Sequence, residues 1–115
     1  MAATKADLRN AVLRYLSVMP EGQAASAHQA DVVDTAIDRE HEWLEADGIA
    51  YWATSAIPDG VVNPLREYIA GVVAPELMEP QRAGPYVMGK SEGLQRLRRF
   101  TAAVAMTGPA AAHYF

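Results

Sequence analysis

Apolar residues recur with the period of an α-helix in four stretches of this chain. Thr4 to Val18 sets Leu8, Val12, Tyr15 and Leu16 on one face, the stripe of an amphipathic helix. Thr4 with Asp7 three residues on approximates a capping box, and Pro20-Glu21-Gly22 ends the element. A second helix opens at Ser26 or Asp31 and runs to about Asp47, with Val33, Ile37 and Leu44 inward and Gly48 where a terminating glycine belongs. In the third, Leu65, Tyr68, Ile69, Val72 and Val73 form the stripe. Asn63-Pro64 reads as its N-cap and first residue, one continuous helix from Pro58 being the alternative, and Pro75 biases Ala74 out of helical geometry and so stops it. The fourth runs from Ser91 to about Met106, with Leu94, Leu97, Phe100, Thr101 and Val104 inward and Gly108-Pro109 as its stop.

The connections differ in kind. Ile49 to Ile57 is aromatic and β-preferring with no helical period, which predicts an extended arm or short hairpin. Tyr51 and Trp52, adjacent in such a segment, point to opposite sides, so one packs inward and the other needs a different surface. Residues 76–90 hold two prolines and two glycines and read as a long loop, with Tyr86 inside it. The sum is an all-α fold: a small bundle of about four helices, an arm between the second and third, and a mobile C-terminal tail. One helical domain covers residues 1–108 and the tail residues 109–115.

Composition sharpens this picture in two ways. Half of the 115 residues are hydrophobic, but many of these are alanine, so the core is thin and suits a subunit completed by neighbours. The net charge of −4 is unevenly spread: residues 1–20 carry +2, residues 21–80 carry −10, and residues 81–115 carry +4. Basic ends around an acidic middle permit head-to-tail self-association, or contact with polyanions through one face. No apolar run approaches the roughly 20 residues that cross a bilayer, which argues against a membrane partner. The absence of cysteine excludes disulfides and thiolate metal sites.

Catalytic patterns are missing. Asp38 and His41 share a helical face, but a carboxylate-bridged metal bundle needs such a pair on each of two helices. His41-Glu42-Trp43-Leu44-Glu45 has glutamate where the zinc motif needs its second histidine. No phosphate-binding glycine loop or nucleophile elbow occurs. The chain reads as a non-enzyme without metal or cofactor. Only Arg96, Arg98 and Arg99 resemble a basic recognition surface, which leaves a small regulatory or DNA-binding protein as the alternative.

The order of elements carries a resemblance. The residues concerned are Leu44, Gly48 and Ile49, then Ile57-Pro58-Asp59, Leu65, Tyr68-Ile69-Ala70 and Ala74-Pro75-Glu76, within residues 4–78. In this pattern the chain resembles the head-to-tail adaptor (tail accessory, or head-completion) proteins of tailed bacteriophages, in the podophage-type branch. The resemblance implies an all-α virion protein at the portal vertex, assembled in the host cytoplasm. It implies a homo-oligomeric ring, usually of twelve copies, beneath the portal protein. Such a ring extends the DNA channel, helps retain packaged DNA that passes through without sequence recognition, and seats the downstream tail or nozzle protein. A net-acidic ring would let the DNA slide. The residues expected to meet portal, neighbour or tail are Tyr51, Trp52, Tyr86, Arg96, Arg99 and the terminal His113, Tyr114 and Phe115.

Overall fold

A computed structural model describes residues 2–19 and 22–107. The fold is all-α, with helices α1 (Lys5–Tyr15), α2 (Ala27–Ala46), α3 (Asp59–Leu77) and α4 (Pro80–Thr107). The Thr4 capping box forms, and the structure adds a second at Ser26. Thr4 Oγ1 accepts from the Asp7 N–H while the Asp7 carboxylate accepts from the Thr4 N–H, and Ser26 and Gln29 do the same at the head of α2. The backbone and hydroxyl hydrogen bonds from Thr4 hold the Asp7 carboxyl below its ordinary range. Gly48 takes the left-handed conformation expected of it, φ +77°. Ser17 does so at the end of α1, φ 59°, with no glycine to mark it.

The third helix takes the alternative form, one continuous element entered at Pro58, and the third and fourth helices depart from expectation at Pro75, Pro80 and Pro85. α3 neither waits for Pro64 nor stops at Pro75; it is continuous from Asp59 through both. Pro58 sits at the N-cap and Asp59 complements the helix dipole, so the start is well made five residues early. Pro64 then removes one backbone bond, a cost offset by burying Val61, Leu65 and the proline itself. Near the other end Val73 and Ala74 are buried while the exposed Pro75 faces outward. Packing of the two preceding residues outweighs the pre-proline bias.

Residues 76–90 are not a loop. The break is only Met78 and Glu79, after which Pro80 opens α4 as a first-turn proline. The Glu79 carbonyl accepts from both Arg82 and Ala83. Ser91 therefore lies inside α4 and caps nothing. Ala83, Tyr86, Leu94, Leu97 and Phe100 share one face of α4, with Lys90 at the intervening position beside Gly71 of α3. That seam stabilises a helix which its glycines and Pro85 would not favour alone.

α3 is central: α1, α2 and α3 pack pairwise, and α4 lies along α3. Three glycines permit that close approach. A Cβ on Gly71 would meet Lys90 Cβ at 2.6 Å and the Tyr86 carbonyl at 2.8 Å. One on Gly93 would meet the Pro64 carbonyl at 2.8 Å and the Tyr68 nitrogen at 3.0 Å, and one on Gly60 would enter the Phe100 ring.

Between α2 and α3 the arm forms no named strand. The Ile57 N–H and carbonyl pair with those of Ala3 at 2.7 and 2.9 Å, and Ala53 pairs with Ala56 across a tight turn. The arm is thus closed at its tip and tied to the start of the chain. The tail over residues 109–115, with its Gly108-Pro109 stop, lies outside the described residues.

Candidate functional site

The charges that looked segregated in sequence meet within one chain. Lys5 Nζ is 2.8 Å from Asp38 and Arg9 is 3.1 Å from Asp34, joining basic α1 to acidic α2. Arg96 is 2.8 Å from Glu67, and Arg98 is 3.3 Å from Asp47. The acidic face of α2 is therefore partly a seam with α1 and not wholly solvated. His41 belongs to it as well: its Nε2 is 3.1 Å from Glu45 of the following turn. Among the described residues no group of three or more histidine and carboxylate side chains converges as metal ligands would.

The arm separates its two aromatics. Trp52 is only 6% exposed, whereas Tyr51 is 51% exposed and meets the Trp52 ring edge-on at 5.2 Å. Trp52 is thus unavailable to a partner surface. It lines a small cavity of about 10 Å³ together with Leu8, Ile37, His41, Leu44 and Ile57. Its buried Nε1 has no hydrogen-bond partner among the described residues.

Tyr86 is half-buried and turned toward α1. Its hydroxyl donates to the Tyr15 carbonyl at 3.2 Å, and its ring meets the Tyr15 ring edge-on at 5.4 Å. The Arg66 guanidinium lies 4.7 Å from the centre of the Tyr15 ring, a cation–π contact. Arg96 is held by Glu67, while Arg99 is exposed on α4. His113, Tyr114 and Phe115 lie outside the described residues. Tyr86 packs on Tyr15 of α1, whereas Arg98 and Thr101 of α4 meet Asp47 and Ile49 at the start of the arm that carries Tyr51.

One buried polar contact has a pH signature. The Tyr68 hydroxyl donates to Glu40 Oε1 at 2.6 Å across the α2–α3 interface. Burial, then the hydrogen bond and the negative charge of Glu40, push the Tyr68 phenol well above its ordinary 10.0, with Arg39 opposing. The folded state therefore favours the protonated phenol. Its contribution is complete below pH 10.0 and is lost as pH rises toward the folded value, because the unfolded chain ionises first. Urea unfolding on either side of pH 10.0 should show stability falling with pH, and Tyr68→Phe should remove part of that slope. An unchanged slope would assign it elsewhere.

The residues that carry the phage-adaptor resemblance are mostly interior. Leu44, Ile57, Leu65 and Ile69 line the same cavity as Trp52, and Tyr68, Ala70 and Ala74 are buried beside them. Comparison with known protein families, characterised proteins and solved structures finds no match to this chain. In this chain those residues mostly pack α2, the arm and α3 together and do not form a surface.

Sequence reading missed an apolar exposed surface. Pro75, Pro80, Ala83, Gly84, Val87 and Met88 line an open groove of about 340 Å³ where α3 turns into α4. Met88 is 80% exposed and Val87 41%. The signal was present in Val87-Met88 between two glycines, but it is legible only once those residues are known to be helical.

Proposed function

We propose that this chain is a structural, non-catalytic virion protein: a head-to-tail adaptor that assembles as a ring, usually of twelve copies, beneath the portal. It extends the DNA channel, helps retain the packaged genome and seats the tail. The order of elements from Leu44 to Glu76 supports the reading most. Its apolar members form one connected core around Trp52, as a fold kept for its packing would. Tyr51 on the closed arm supplies an aromatic contact available to a neighbour or the portal. The other large exposed aromatics among the described residues, Tyr15 and Trp43, are of the type interfaces favour.

The alternative, a DNA-binding regulator, gains little from the arginines of α4. Arg96 and Arg98 are already engaged by Glu67 and Asp47, which leaves less free charge for phosphates. Mixing the purified chain with cognate portal rings tests the proposal. A complex eluting ahead of free portal, with a fixed ratio of chain to portal subunit, is the expected result. Separate elution of the two, with salt-dependent duplex DNA binding by the free chain, would favour the regulator.

A further inference from the structure

We infer that the surface around Tyr15 and Tyr86 binds an acidic protein segment, through four cations that have no carboxylate partner of their own. All ten lysines and arginines of the chain lie among the described residues. Lys5, Arg9, Arg39, Arg96 and Arg98 each meet an aspartate or glutamate. Arg14, Arg66, Arg82, Lys90 and Arg99 form no ion pair among the described residues. Of these free cations, all but Arg99 gather at one place.

Tyr15 is its centre. The Arg66 guanidinium lies 4.7 Å from the centre of the Tyr15 ring, and the Tyr86 ring meets it edge-on. The Tyr86 hydroxyl donates to the Tyr15 carbonyl, so α1, α3 and α4 are joined here. Arg14 precedes Tyr15 in the last turn of α1. Arg82 and Lys90 stand four residues before and after Tyr86, on the same side of α4. The Lys90 stem is seated beside Gly71. Arg99 lies more than two turns beyond Lys90.

Part of this surface is fixed before a ligand arrives. Tyr15 holds Arg66, whose Nε is buried without a partner among the described residues. Less side-chain freedom is therefore lost on binding. Tyr15 remains 37% exposed, enough to cover the aliphatic stem of a glutamate between the charges.

The same features favour carboxylates over a nucleic acid. Arg66 covers one face of Tyr15 and Tyr86 leans on the same ring, which leaves a poor platform for stacked bases. Glu79 lies three residues before Arg82, and Glu92 two after Lys90. A phosphate backbone, charged at every nucleotide, would meet these as well, whereas a protein segment places carboxylates only opposite the cations. The net charge of −4 also repels a long polyanion more than a short segment. The surface belongs to the single chain and requires neither a ring nor a portal.

Fluorescence anisotropy with a labelled poly-glutamate peptide at low ionic strength tests the assignment. The full chain should bind the peptide and release it as salt is raised. Arg66→Gln and Lys90→Gln should each weaken binding roughly fivefold, the upper range for one exposed ion pair. Arg82→Gln, at an exposed position, should act in the same direction and carries the test if Arg66→Gln lowers the melting temperature. Arg99→Gln removes the same charge from elsewhere on α4 and should leave the affinity unchanged. Equal weakening by Arg99→Gln would overturn the inference, because net charge and not this surface would then govern. Absence of peptide binding by the parent chain would overturn it too. Tighter binding of single-stranded oligothymidylate than of poly-glutamate would reassign the surface to nucleic acid.

Discussion

Gly93→Val is expected to destabilise the fold by about 3 kcal/mol, at the top of the range for overpacking. The melting temperature should fall by roughly 10 °C, given about 4 °C per kcal/mol for a domain of this size. The reason lies in what surrounds the α-carbon. The nearest atoms to a Cβ are the Pro64 carbonyl and the Tyr68 nitrogen, both backbone, which cannot turn aside as a side chain can. Relief requires α4 to move away from α3, and that opens the seam carrying Leu94, Leu97 and Phe100. Gly89 supplies the control. It lies in the same helix with nothing within 4 Å of a Cβ, so Gly89→Ala should gain about 0.5–1 kcal/mol through helix propensity and lower unfolded-state entropy. Thermal and urea unfolding of the two variants should move in opposite directions. A shift of the same sign in both would show that helix propensity, not close packing, governs α4.

Trp52→Ala should be the most damaging substitution in the arm, at about 3–5 kcal/mol, as for a large aromatic deleted from a core. Tyr51→Ala, one residue away, should cost about 1 kcal/mol or less, the value of an edge-on ring contact. The contrast follows from exposure, 6% against 51%. It tests whether the arm is a wall of the core that presents Tyr51 outward. Trp52→Phe is the finer probe. It removes a buried N–H that lacks a partner among the described residues, and relief of that penalty offsets part of the lost contact area. Chemical denaturation should therefore place Trp52→Phe nearer the parent than Trp52→Ala. Equal losses would mean that the indole nitrogen is satisfied in solution.

The regions of the chain differ in how far pattern alone revealed them. Leu8, Val12 and Leu16, like Val33, Ile37 and Leu44, are buried where helical spacing placed them. Caps at Thr4 and Ser26 form because their side-chain oxygens accept from first-turn N–H groups that have no intrahelical partner. Prolines misled the reading from Asn63 to Lys90. Pro64, Pro75 and Pro85 all lie inside helices. Their local cost is fixed by the backbone, whereas the compensation depends on a partner helix about which local sequence carries no information. Periodicity places Gly71 and Gly93 inside helices, but their role as the close contact between α3 and α4 depends on a partner helix that local sequence does not show.

The interaction residues were less legible than the fold. Adjacent aromatics in an extended arm correctly implied one inward and one outward, but only packing against Leu8, Ile37 and Leu44 decides that Trp52 is the inward one. Segment charges of +2, −10 and +4 suggested surfaces for other molecules. Four ion pairs instead join the ends to the middle of the same chain. Such pairs between half-exposed groups contribute little to stability individually. Their consequence here is to reduce the free positive charge on α4. The Val87-Met88 groove escaped notice because its segment read as loop.

Electron microscopy of portal rings incubated with this chain tests the adaptor reading most directly. Class averages should show an added ring of helical subunits coaxial with the portal and continuing its channel, with symmetry-related copies of the four-helix fold fitting the density. Portal rings indistinguishable from the untreated sample, at concentrations of the chain far above those of the portal, would contradict it.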